Sequence, residues 1–238
     1  MNLQTPSLLA VTLVMAACAA RGPLQSSDPK AACAALTVPI AAAKIGLPSG
    51  GASIDSATLV APSAMAVAER GPTPAALITP AAPEYCKVLG RIAPVDAKAP
   101  PILFQVNLPT QWNGRSVQYG GGGFNGVLIS GLGLVPAARF DTPAPLAQGY
   151  VTYGTDSGHQ NQPGTPPQAF ALNDEALVNF AHASYKKVRD VAVDLMVRAY
   201  ARGPEKLYFV GSSEGGREGL TMRSAIRRIS TASSAACR

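Results

Sequence analysis

The rhythm of apolar and polar positions divides this chain into a loosely patterned first third and a strongly patterned remainder. Across Glu84–Ile92 (EYCKVLGRI) apolar and polar residues alternate, which predicts a strand with one face buried. Ile102–Leu108 (ILFQVNL) is rich in β-formers and runs up to Pro109, which is expected to stop it, so two neighbouring strands are predicted. Ser116–Tyr119 is a third strand ending in the glycine loop Gly120–Gly126, and Gly149–Asp156 is a fourth that also enters a polar loop. From Asn173 the period changes to that of a helix. Asn173 or Asp174 can cap it, Leu177, Phe180, Ala181, Ser184, Val188, Val191, Leu195 and Ala199 form the apolar stripe, and Gly203-Pro204 ends it. Leu207–Val210 is then a short, wholly apolar strand, as expected in the middle of a covered parallel sheet. Strand, loop, helix and strand in this order predict a three-layer α/β architecture.

Upstream the pattern fades. Ala31–Pro83 is rich in alanine and proline and shows no sustained period, and residues 21–30 read as a polar linker. Leu8–Ala20 is an apolar run with the length of an export-signal core, too short to span a bilayer with ease. Small residues flank Cys18 for simple cleavage, and Met15–Cys18 also has the form of a bacterial lipobox, so lipidation at Cys18 and plain cleavage both stand.

Composition sharpens this picture in three respects. At 238 residues, 47% hydrophobic and 14% charged, the chain is globular rather than disordered. The net charge of +6 suggests nucleic acid only superficially. Arg223, Arg227, Arg228 and Arg238 supply four of those charges, leaving +2 for residues 1–222 and no basic stripe with interleaved aromatics. Cysteines fall at 18, 33, 86 and 237, and in an exported chain Cys33 and Cys86 are the natural disulfide pair, with two buried thiols as the alternative.

The chemistry gathers at Gly211-Ser212-Ser213-Glu214-Gly215, a G-x-S-x-G directly after a predicted strand. In that setting the motif is a nucleophile elbow: the serine sits in a strained turn, and glycines on either side avoid a clash with the following helix. Ser213 would present Oγ above the sheet edge, and the Glu214 N–H would face a developing oxyanion. The Gly120–Gly126 loop can add a second donor, with Gly122 and Gly123 the candidates. It also fits a plain structural turn, and fits a phosphate cradle poorly because no Lys-Ser/Thr follows.

YFVGSSEGGREGL resembles the nucleophile segment of the tannase and feruloyl esterase family, and three further segments fall in that family's order. EYCKVLGRI resembles its early strand with a half-cystine, LPTQWNGRSVQYGGGGFNG its Trp-Asn-Gly strand and glycine loop, and GYVTYGTDSGHQ its Thr-Asp-x-Gly-His loop. The resemblance runs from about Cys33 to Met222. It implies the N-terminal part of an α/β-hydrolase fold over residues 31–222, hydrolysis of aromatic-acid esters as small-molecule substrates, and no cofactor. The family's calcium-binding lid would lie after Met222. Where better-known members carry a cysteine before the nucleophile, this chain has Ser212.

In this fold the acid and base follow the nucleophile. Asp156, His159, Asp174, His182, Asp190 and Asp194 all precede Ser213, so His159 is expected as a loop-bracing or substrate-proximal residue and Asp156 as a substrate-proximal one. The triad is expected to be incomplete within these residues, which leaves a non-catalytic remnant or exported binding protein as the rival reading. Arg223–Arg238 (RSAIRRISTASSAACR) lacks the apolar pattern of a helix behind an elbow. Codons for Met222–Arg238 can be chosen that, with one restored nucleotide, read as a family-like continuation. A frameshift after Met222 is therefore expected, and the coding DNA tests it.

Overall fold

The computed structural model describes residues 22–68, 77–139 and 141–225. Leu8–Ala20 with Cys18, and the tail beyond residue 225, lie outside them. After a 3-10 turn at Pro23–Gln25 comes helix α1 (Pro29–Ala34), capped by the Asp28 carboxylate on Ala31 N–H at 3.0 Å, and the chain continues into strand β1 (Ala52–Val60). A small hairpin, β2 (Ala66–Ala68) and β3 (Leu77–Thr79), precedes the long strands β4 (Tyr85–Ile92) and β5 (Ile102–Pro109). β6 (Arg115–Tyr119) and β7 (Val151–Thr155) follow, then helices α2 (Asp174–Val178) and α3 (Ser184–Tyr200) joined by a π-helical turn at Asn179–Ala183. β8 (Lys206–Val210) and α4 (Glu214–Ala225) complete it.

Six strands form one mixed sheet in the order β1-β4-β5-β7-β6-β8. β1, β4, β5 and β7 pair antiparallel, whereas β6 pairs parallel with both β7 and β8. On one face Val88, Phe104, Val106, Val151 and Tyr153 pack against Val188, Val191, Leu195 and Met196 of α3, all fully buried. Each such side chain contributes roughly 1.5–3 kcal/mol. On the other face Asn107 donates to the Ser130 carbonyl at 2.7 Å and Thr152 Oγ1 at 3.0 Å, so the connection after β6 forms the third layer.

Local rules explain most boundaries. Asn173 is the helix cap that its position suggested, accepting from Ala176 N–H at 2.9 Å. Ser184, Val188, Val191, Leu195 and Ala199 are buried as the stripe requires, but Leu177 is 42% exposed. The π turn inserts one extra residue per hydrogen bond, closed by Ser184 Oγ on the Asn179 carbonyl, and rotates the earlier positions off the core face.

β5 ends at Pro109, where its sequence predicts the stop, opposite Tyr85 and with the Pro109 carbonyl accepting from the Tyr200 hydroxyl at 2.8 Å. Two features depart from the pattern. β8 is the edge strand of the described sheet, and only Phe209 along it is buried. The patternless first third contains β1, which alternates weakly, is bulged at Ile54–Ser56, and gains its order from pairing with β4. The Cys33–Cys86 disulfide, with Cα atoms 5.6 Å apart, ties α1 to β4 beneath that edge of the sheet.

Candidate active site

Because β6, β7 and β8 run parallel, their carboxyl ends open on one edge, where an open α/β sheet places its ligand crevice. After β8 the chain turns sharply at Ser213, whose φ of 54° is a left-handed conformation rare for a residue with a side chain. The glycines around it are demanded by space. A Cβ on Gly211 would lie 2.5 Å from the Gly215 carbonyl, and one on Gly215 would lie 2.9 Å from the Gly121 carbonyl. Ser213 itself is exposed, and its carbonyl accepts from Gly216 N–H at 3.0 Å, opening α4.

The loop after β6 lies directly against this elbow. Gly120 N–H donates to the Val210 carbonyl at 2.8 Å, and Gly215 N–H donates to the Gly121 carbonyl at 3.1 Å. Gly122 and Gly123 are exposed with open space where a Cβ would stand, and among the described residues neither N–H has a hydrogen-bond acceptor. Gly121 differs, because its N–H is taken by the Glu218 carboxylate at 3.0 Å.

Glu218 was not singled out as a site residue from the sequence. It is wholly buried on α4 and accepts from Asn125 Nδ2 at 2.5 Å and the Tyr185 hydroxyl at 2.8 Å as well as from Gly121. Burial holds its pKa above the ordinary carboxylate range, and the donors from Tyr185, Asn125 and Gly121 oppose that shift. The available signal was its spacing. Glu218 lies four residues before Met222 and so shares its core-facing side, an unusual place for a carboxylate. Glu214 instead pairs with Arg217, whose guanidinium lies 5.0 Å from the Phe180 ring centre and donates to the Ala181 carbonyl at 2.8 Å.

The loop after β7 carries the other two candidates. Asp156 is 1% exposed, and its carboxylate accepts from Leu103 N–H at 3.1 Å, Gly158 N–H at 2.9 Å and Gln160 Nε2 at 2.5 Å. It braces the loop, and burial pushes its pKa up to about 6 against those hydrogen bonds. His159 is 3% exposed, stacked on Phe170 with ring centres 3.8 Å apart and edge-on to Phe180 at 6.0 Å. Burial lowers its pKa. The nearby Phe124 carbonyl opposes that shift without meeting hydrogen-bond geometry, so both ring nitrogens are enclosed and unpartnered. His159 and Phe170 also line an open cavity of about 480 Å³ with Gln160, Asn161 and Thr165. Among the described residues no three His, Cys, Asp or Glu side chains gather as a metal site.

Residues 86–227, which carry this strained serine and the glycine loop against it, match the family model for tannase and feruloyl esterase. The chain belongs to that family. An uncharacterized esterase of Agrobacterium fabrum is 47% identical over 193 residues, covering 81% of this chain and 32% of that protein. A mono(2-hydroxyethyl) terephthalate hydrolase of Piscinibacter sakaiensis is 34% identical over 176 residues, covering 69% of this chain and 29% of that one. Feruloyl esterase B from Aspergillus oryzae superposes with a TM-score of 0.56 at 24% identity, over 84% of this chain and 35% of that chain. The tannase and feruloyl esterase fold is thus shared, and this chain spans about a third of the length of the relatives it matches.

Proposed function

We propose that this chain carries the nucleophile region of a serine-type carboxylic ester hydrolase. The observation that carries the reading is Ser213 in left-handed backbone between Gly211 and Gly215 at the carboxyl edge of the sheet. Ser213 Oγ attacks the ester carbonyl, the alcohol departs, and water releases the acid from the acyl-Ser213 intermediate. The Glu214 N–H and that of Gly122 or Gly123 hold the oxyanion. Aromatic-acid esters are the substrate class: relatives are named for terephthalate and feruloyl esters, and Phe124 stands half-exposed on the glycine loop, 6.3 Å from Phe180.

The reaction needs a base. His159 is enclosed by Phe170 and Phe180, and His182 sits exposed on the π turn. Residues 1–238 alone are therefore proposed to turn over esters only at a residual rate. The enclosed His159 equally favours the second reading, a binding protein that keeps the hydrolase fold without turnover. Export of the chain is proposed under either reading, supported by the apolar run at Leu8–Ala20, with or without a lipid at Cys18, and by the Cys33–Cys86 bridge, which suits an oxidising compartment. No helix among the described residues is long and apolar enough to cross a membrane.

Hydrolysis of p-nitrophenyl acetate and methyl ferulate, together with labelling by a fluorophosphonate, separates the readings. The esterase reading expects Ser213 to be labelled and slow hydrolysis to vanish in Ser213→Ala. Hydrolysis undiminished by that change, or a label elsewhere, would falsify it. Binding of the ester with no label and no turnover supports the second reading.

A further inference from the structure

Two connections from different strands must present donors to one oxygen if Ser213 is to react, and both are built largely from glycine. Gly120, Gly121 and Gly215 touch backbone to backbone, since a Cβ on Gly120 would lie 2.7 Å from both Gly215 Cα and Glu218 Oε2. Glycine permits that approach but does not hold it, because it confers the greatest backbone freedom of any residue. The loop continues through Asn125, a non-glycine residue at φ 52° that needs outside support to stay there.

We propose that Glu218 is a positioning residue that locks the glycine loop against the elbow helix and so aims Gly122 and Gly123 at the oxyanion position; this rests on the hydrolase reading above. One carboxylate oxygen takes the Gly121 N–H at 3.0 Å, and the other takes Asn125 Nδ2 at 2.5 Å and the Tyr185 hydroxyl at 2.8 Å. Three donors from two other elements thus converge on one α4 side chain that is wholly buried. Occupation of the Gly121 N–H also removes it from the set of oxyanion donors, which leaves the next two glycines. Hydrogen bonds to a buried carboxylate are short and strong, so few other side chains could replace it.

Glu218→Gln tests this, since its amide must turn an N–H toward at least one of the three donors. Tyr185→Phe, which removes one donor and keeps the carboxylate, is the milder variant. The expected result for Glu218→Gln is roughly tenfold faster hydrogen exchange in the 120–126 peptide with β5 exchange unchanged. The maximal rate of Ser213 phosphonylation should also fall roughly tenfold or more while the half-saturating reagent concentration holds. Loop exchange and phosphonylation at wild-type rates in Glu218→Gln would overturn the proposal. Should Glu218→Gln not fold, Tyr185→Phe decides: faster exchange confined to 120–126 supports the lock, and unchanged exchange removes it. Failure of Ser213 labelling in the wild type would count against the hydrolase reading itself, with loop exchange still deciding whether Glu218 holds the loop.

Discussion

Asp156 is where burial and hydrogen bonding most clearly compete for one proton. Its pKa of about 6 lies above the ordinary carboxylate range because burial outweighs the donors from Gln160, Gly158 and Leu103. The folded state therefore binds this proton more tightly than the unfolded chain. Stability from this group is greatest below the ordinary range and falls as pH rises toward 6, by on the order of 3 kcal/mol. Urea midpoints should decline across that window in the wild type, with the contribution of this residue removed in Asp156→Asn. An equal slope in the variant would show that the carboxylate does not titrate there. The sequence placed Asp156 near the site by its loop. Its role as a brace depends on Leu103, 53 residues away on β5, which no local pattern reveals.

At the scale of the element, the elbow is a strand, a strained serine and a helix start whose glycines are not equivalent. A methyl group on Gly215 would press on Gly120 and Gly121, whereas one on Gly122 meets nothing within 4 Å. Gly215→Ala should cost roughly 1–3 kcal/mol of stability and suppress Ser213 reactivity, while Gly122→Ala stays within about 0.5 kcal/mol. Thermal melts and fluorophosphonate labelling compare the two, and equal melting temperatures would contradict the steric account. The strand–G-x-S-x-G–helix order was legible because every part of it lies within a dozen residues. Helix α3 was legible through its period, but the π turn was not: the residues of Asn179–Ala183 carry no breaker, and the insertion lets Asn179 be buried and accept from Lys187 at 3.0 Å. The same local reading expects cover over β8, and the described sheet supplies it only in part.

Across the whole molecule, the disulfide joins the weakly patterned first third to the sheet. Cys33 and Cys86 are 53 residues apart, and both are fully buried beside Leu24, Leu36 and Val88. Replacing both by alanine should lower stability by roughly 2–5 kcal/mol, read from denaturant midpoints against wild type with and without reductant. Identical midpoints under all conditions would mean that packing alone holds α1 and β1 in place. The sequence by itself determined strands β4 to β8, the long helix, the family and the place of Ser213 in a strand, G-x-S-x-G and helix order, since period, turn chemistry and motif spacing act over a few residues. Only the tertiary structure decided that β1 completes the sheet, that β8 lies at its described edge, and that Asp156 is a brace. It also brought the Glu218 carboxylate, 97 residues from Gly121, onto the Gly121 N–H of the glycine loop. Those roles depend on which distant groups share a buried space, and burial and hydrogen-bond partners are properties of the packed molecule rather than of any stretch of chain.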